Sequence, residues 1–160
     1  MRIIGIDPGY AIVGFGVVDY IDGKFSVKDF GAITTDKDTP FPKRLCEIYE
    51  DYCQILDSWK PDVLSIERLY FTNNQKTGID VAQARGIIIM AAAQYTPLQV
   101  KQAVVGYGQA VKKQVQEMTK NILKLSCVPK PDDTADALAM TICHAQTSGS
   151  LLRNIKASNI

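Results

Sequence analysis

Four acidic residues stand where hydrolysis of a phosphodiester by two metal ions would need them: Asp7, Glu67, Asp133 and Asp136. Two Mg²⁺ ions doing that work sit roughly 3.5–4 Å apart, one activating a water and one stabilising the leaving oxygen. Such ions take hard oxygen ligands, which carboxylates supply and His or Cys do not. Asp7 ends the apolar run Ile3-Ile4-Gly5-Ile6 and is followed by Pro8-Gly9, whereas Glu67 ends Val63-Leu64-Ser65-Ile66 after the breaker pair Pro61-Asp62. A short buried strand that stops at a carboxylate delivers it to the carboxyl end of a parallel sheet, where α/β sites form. Asp133 and Asp136 are three apart, so at the start of a helix they share one face. Asp7 also reads as a turn residue, and Asp132 or Asp133 as an acid complementing a helix start. Asp136 resists that treatment: inside Ala135-Asp136-Ala137-Leu138-Ala139, a small apolar helix, a charge needs a partner or a metal.

The elements that must hold these groups follow from hydrophobic period and turn chemistry. Residues 2–7, 13–20 and 24–34 read as strands, the last two joined at Asp22-Gly23, a strong hairpin signal. Leu45, Ile48, Tyr49, Tyr52, Ile55, Leu56 and Trp59 fall at helical spacing over 41–58. A fourth strand covers 62–67, a polar-aromatic loop 68–76, and a small-residue helix begins near Thr77 and runs into the low nineties. Thr96-Pro97 reads as a helix start. A basic amphipathic helix is expected over about 109–125 and a last helix from near Asp132 to about Thr147, with 148–160 a flexible tail. This order predicts an α/β fold: a ribonuclease H-like mixed sheet, three antiparallel strands plus parallel strand, flanked by helices in one domain over 1–147.

Composition narrows the function. With 160 residues, 46% hydrophobic, the chain has room for one real core. Its net charge of +1 is uneven: residues 101–130 hold six Lys (101, 112, 113, 120, 124, 130) against Glu117 alone. A basic segment beside an acidic site suits a polyanion held over metal ions, and equally a solvated helix face. The four cysteines (46, 53, 127, 143) form no CxxC pair and His144 is the only histidine, which argues against structural zinc. Unpaired cysteines, no signal peptide and no apolar stretch long enough to span a bilayer predict a cytoplasmic protein.

Five stretches carry a specific resemblance: Ile4-Gly-Ile-Asp-Pro-Gly-Tyr-Ala-Ile-Val-Gly-Phe-Gly16, Ile66-Glu-Arg-Leu-Tyr-Phe71, Val81-Ala-Gln-Ala-Arg-Gly86, Gln99-Val-Lys-Gln-Ala-Val-Val-Gly-Tyr-Gly108 and Asp132-Asp-Thr-Ala-Asp-Ala-Leu-Ala139. In this order, over roughly 2–146, the chain resembles the RuvC family of Holliday junction resolvases. The resemblance implies a homodimer that nicks opposing strands of a four-way DNA junction in recombination and repair. It implies two Mg²⁺ per subunit, with Mn²⁺ an acceptable substitute, and partnership with a branch-migration helicase complex. By position, Asp7, Glu67, Asp133 and Asp136 match the family's catalytic, metal-binding carboxylates. Tyr70 stands where the family usually has a Phe against junction bases, and its ring keeps the capacity to stack. Lys101 and Lys112 match lysines on DNA phosphates, with Lys113 adjacent. Arg68, Phe71, Asn73, Asn74 and Lys76 complete the expected DNA-contacting loop. The helix around Val81, Ala82 and Arg85 matches the family's dimer contact, with packing inside the core as its other reading.

One departure stands out. Family members usually place a connector and a fifth strand between the dimer helix and the Thr-Pro helix, whereas here Ala93-Gln-Tyr-Thr-Pro97 joins them almost directly. The fifth strand is therefore expected to be shortened or missing: either the sheet has four strands, or Ile87–Met90 unwinds to fill the gap. The departure brings in a second function, a junction-binding protein that no longer cuts, alongside a ribonuclease H-like RNA-processing nuclease. An actin-like or sugar-kinase ATPase needs two lobes and more chain than this.

Overall fold

The computed structural model describes residues 1–67, 75–95 and 112–157, with side chains for 1–67, 77–93 and 113–145. Strand β1 (Arg2–Asp7) pairs antiparallel with β2 (Ile12–Ile21), which pairs antiparallel with β3 (Lys24–Thr34). The turn between β2 and β3 has positive φ at both Asp22 (50°) and Gly23 (79°), the combination a two-residue hairpin requires. Helix α1 (Phe41–Trp59) then crosses the sheet, and β4 (Val63–Ile66) lies parallel to β1 on its other side. Among the described residues this gives a four-stranded sheet, order β3-β2-β1-β4, with both carboxylate-bearing strands adjacent and pointing the same way. Helices α2 (Gln75–Tyr95), α3 (Lys112–Leu123) and α4 (Asp132–Ala157) follow among the described residues.

The two faces of the sheet are packed differently. Ile4, Ile6, Val13, Phe15, Val17, Leu64 and Ile66 form one core with Ile48, Tyr52 and Leu56 of α1 and Ala84, Ile88, Ala91 and Ala92 of α2. Side chains alternate along a strand, so Ile3, Gly5 and Asp7 turn to the other face, where α4 lies. There α4 comes unusually close. A Cβ on Gly5 would overlap the Ala137 carbonyl oxygen, one on Gly14 the Asp133 carbonyl, and one on Gly16 the Leu138 side chain. Gly5 and Gly16 are direct cross-strand partners and Gly14 is the partner of Asp7, so the three make a continuous floor for one helix. Ser65 Oγ donates to the Met140 carbonyl (3.2 Å) and Thr134 Oγ1 to the Gly31 carbonyl (2.9 Å), tying the same helix to β4 and β3.

Two expectations change. The run Ile87-Ile88-Ile89 does not unwind: α2 is continuous through it. Three β-branched residues cost a helix on the order of 1 kcal/mol in propensity, whereas burying Ile88 fully against α1 returns about 2–3 kcal/mol. Helix α4 also continues to Ala157, past the boundary expected near Thr147. The gap in which a fifth strand would fall, together with the Thr96-Pro97 start, lies outside the described residues. No helix among the described residues is long and apolar enough to cross a membrane.

The glycine floor makes a sharp prediction. Gly5→Ala should lower the unfolding free energy by about 3 kcal/mol, the scale of overpacking against a backbone that cannot yield. Gly86→Ala, whose added methyl meets nothing within 4 Å, should leave stability unchanged or raise it by up to about 1 kcal/mol. Urea denaturation of the two variants distinguishes a seat for α4 from a general intolerance of lost glycines.

Candidate active site

Strand alternation puts two carboxylates on the α4 face. Asp7 follows Ile3 and Gly5 there, and Glu67 follows Val63 and Ser65, its N–H donating to the Ile6 carbonyl (3.2 Å) so that the parallel ladder carries on past the strand end. Asp133 and Asp136 lie on the first two turns of α4, which opens at Asp132 on the Thr134 N–H to Pro131 carbonyl bond. The structure brings all four together. Burial first, then a shared hydrogen bond with Glu67 and the charges of Glu67, Asp133 and Asp136, push the Asp7 carboxyl up to about 8. A proton on Asp7 would do the work a cation does in such a cluster: it would relieve like charge in a partly desolvated site. The donor set is all oxygen, which fits a hard divalent ion. Among the described residues no three acidic side chains already stand at the spacing of a common metal site.

Neighbouring groups set the backbone under the carboxylates. Arg85, read from sequence as a dimer contact, donates from Nε to the Glu67 carbonyl (3.0 Å), joining α2 to the end of β4. On the other flank, the loop after Asp7 is held by Arg44, a buried residue of α1. Arg44 donates to Thr35 Oγ1 (2.8 Å) and to the Tyr10 carbonyl (3.2 Å), and its guanidinium lies 4.7 Å from the centre of the Tyr10 ring. Thr35 closes the knot by donating its hydroxyl to the same Tyr10 carbonyl (2.7 Å) and its N–H to Ala11 (3.0 Å). Neither role was read from the sequence. A signal for Arg44 existed: it falls on the helical row 44, 48, 52, 56 with Ile48, Tyr52 and Leu56, a cation at a core position.

The remaining expected contacts divide cleanly. Lys113 is exposed near the start of α3; Lys112 opens that helix and Lys76 lies in the first turn of α2, both described by backbone alone. Val81 and Ala82 are half-buried on α2. Arg68, Tyr70, Phe71, Asn73, Asn74 and Lys101 lie outside the described residues.

Comparison with known proteins adds an independent line. Residues 3–144 match the family model described as "Crossover junction endodeoxyribonuclease RuvC". A protein of that description from Ruminiclostridium cellulolyticum is 51% identical, the match covering 96% of this chain and 98% of the relative. One from Fusobacterium nucleatum is 48% identical over 167 aligned positions, covering 100% of this chain and 88% of the relative. Since the chain has 160 residues, several positions of that relative have no counterpart here. Among solved structures, Thermus thermophilus RuvC in complex with a Holliday junction substrate superposes with a TM-score of 0.78 at 32% identity, covering 91% of this chain and 93% of the other. The yeast mitochondrial Holliday junction resolvase, at 12% identity and TM-score 0.62, shares the fold.

The protonated Asp7 has a measurable consequence. An ordinary Asp titrates near 3.8, so from about pH 4 to about pH 8 the folded, metal-free chain holds a proton that the unfolded chain has released. Stability of the metal-free protein should fall as pH rises through that window. Asp7→Asn removes the titration and should be more stable than the parent at pH 8, by about 1–3 kcal/mol. Urea denaturation of parent and Asp7→Asn in EDTA at pH 5 and pH 8 checks both; a stability difference between the two proteins that is the same at both pH values would show that Asp7 does not titrate in this window.

Proposed function

The chain belongs to the RuvC family of crossover junction endodeoxyribonucleases, and on that premise we propose that it resolves four-way DNA junctions through Asp7, Glu67, Asp133 and Asp136. The single observation that carries the site is the convergence of Glu67, Asp133 and Asp136 on Asp7, where the ends of β1 and β4 meet the start of α4. Asp7 and Glu67, on adjacent parallel strands, would hold the metal from the sheet, and Asp133 and Asp136 from the helix. Bound Mg²⁺, two ions per subunit, or Mn²⁺ in its place, supplies an activated water and charge neutralisation at the leaving oxygen. The chain's own residues do the rest. The glycine floor fixes the height of Asp133 and Asp136 over the sheet, Arg85 fixes the Glu67 main chain, and the Arg44 knot fixes the loop that follows Asp7.

Substrate and assembly follow the family. The junction-bound structure of the Thermus protein supports junction DNA as the substrate here and favours a resolvase over an RNA-processing nuclease. Lys112, Lys113 and Lys101 would meet phosphates and set register without reading sequence. Tyr70, flanked by Arg68, Phe71, Asn73, Asn74 and Lys76, would stack on junction bases. A homodimer suits a substrate with approximate two-fold symmetry, because an isologous pair presents two identical sites to opposite strands. The exposed side of α2 supports that assembly: Ile79, Gly86, Met90 and Ala93 recur along it with Ala82 beside them, whereas Val81 falls on the helical row of the buried Ala84 and Ile88. In this reading 1–147 is the nuclease domain with 148–160 appended, working in the cytoplasm with a branch-migration helicase complex.

Cleavage of a synthetic four-way junction, against a linear duplex, in Mg²⁺ and in EDTA, tests the proposal. Symmetric nicks on the junction alone, abolished by EDTA, are expected. Asp7→Asn should lower the rate by at least about 10³-fold while junction binding persists, since removing a negative charge eases the approach of DNA. Loss of binding in a folded Asp7→Asn protein would make Asp7 structural. Arg85→Ala should cost about 10–100-fold in cleavage, the scale seen when a ligand loses its outer support.

A further inference from the structure

A cavity of about 400 Å³ opens between β3 and α1, and Phe15, Asp29, Ile33, Asp51, Ile55 and Trp59 are among the residues that line it. It lies on the far side of the sheet from the acidic cluster. Phe15 pairs with Ile6, whose side chain faces α1, whereas Asp7 faces α4. One wall is the end strand of the sheet; among the described residues no strand pairs with the outer side of β3. We infer that this groove takes up an extended, basic segment of a partner protein as a strand added to the outer edge of β3.

Three observations point to that occupant. The first is how unevenly the edge is guarded. An open strand edge recruits other chains unless charges, bulges or cover blunt it. The first half of β3 has such guards. Lys24 and Lys28 are exposed, and Lys28 is the extra residue of a bulge, since Val17 pairs with Asp29 and Val18 with Val27. From Phe30 to Thr34 the strand runs regularly opposite β2 and carries no charge. The Phe30 N–H is satisfied by Asp29 Oδ1 (2.9 Å), which marks Phe30 as facing outward. By alternation Ala32 and Thr34 also turn their backbone groups outward.

The second is the charge of the walls. Asp29 and Asp51 line the groove, and no Lys or Arg does. Asp29 is held in place, its Oδ2 accepting from Trp59 Nε1 (2.9 Å). Asp51 is exposed, and Glu50 and Asp57 add charge on the open side of α1. This wall repels a nucleic acid and attracts Lys or Arg. The third is the apolar floor of Phe15, Ile33, Ile55 and Trp59. Residues two apart on an added strand point the same way, so a basic and an apolar residue at that spacing would meet Asp51 and the floor together. Strand addition of this kind draws affinity from the backbone and selectivity from alternate side chains.

Trp59 is the only tryptophan in the chain, which makes the groove its own reporter. The full-length protein is titrated with the peptide acetyl-Ser-Lys-Thr-Val-Ser-Lys-Thr-amide while Trp59 emission is followed. A saturable change is expected, weakened about tenfold in Asp51→Lys, an exposed substitution that should leave junction cleavage unchanged. Replacing both peptide lysines by glutamate, or its first threonine by proline, should abolish the change, because the second removes a ladder N–H. No saturable change, equal binding of the glutamate peptide, or equal binding to Asp51→Lys would each overturn the inference. A larger response to single-stranded DNA than to the peptide would overturn it in favour of nucleic acid.

Discussion

The absence of three side chains governs the rest of this molecule. Helix α4 lies on β1 and β2 where Gly5, Gly14 and Gly16 present bare backbone, so helix and sheet meet with almost nothing between them. Helices and sheets ordinarily pack with interdigitating side chains holding them about 10 Å apart. Here the small residues of α4, Thr134, Ala137 and Thr141, complete the approach from the other side, and all three are buried. The short side chains of Asp133 and Asp136 can then act on a carboxylate at the end of β1. A glutamate could span a wider gap only with added rotamer freedom, and that freedom would loosen the site.

The closeness sets up an internal conflict. Packing that drives α4 onto the sheet also forces four acids into one corner, where burial first and then the neighbouring charges raise the Asp7 carboxyl above its ordinary range. The hydrophobic contacts win because they are many: Ile3, Val63 and Ala145 on one side of the contact, Val18, Leu123, Leu138 and Ile142 on the other. The site itself is thereby destabilised in the metal-free chain, and a divalent cation or a proton relieves it. Strain of this kind is a common cost of function, carried by a core with stability to spare.

The opposite face serves as a chassis. From it Arg85 reaches the main chain at Glu67 and Arg44 braces the turn after Asp7, so both strand-end carboxylates are oriented by cations that bind carbonyl and hydroxyl oxygens. A cation that instead neutralised a carboxylate would compete with the metal. The same face carries the groove beside β3, which keeps a docking surface apart from the surface that must meet DNA. On this face helix α2 packs against α1 through Ile88, Ala91 and Ala92.

Much of this was legible in the residues. The strands ending at Asp7 and Glu67, the Asp22-Gly23 hairpin and the helical row of α1 are local patterns of period and turn chemistry, and local physics forms them. The candidate carboxylates Asp7, Glu67 and Asp133 were legible for the same reason, each at an element boundary that its neighbours mark, whereas Asp136 stood out as a charge inside a small apolar helix. The glycines were visible too, alternating through Val13-Gly14-Phe15-Gly16-Val17, yet a strand glycine reads equally as a bulge or a bend until its neighbour across space is known. What only the tertiary structure decided was how distant surfaces meet. Ile87–Ile89 stayed helical because burial against α1 outweighed β propensity, and Arg85 turned to Glu67 rather than simply to the outer face of α2. Sequence alone determined which residues could do chemistry and on which elements they would ride. The distance between those elements, and hence the crowding of acids around Asp7, came from non-local packing that no window of sequence contains.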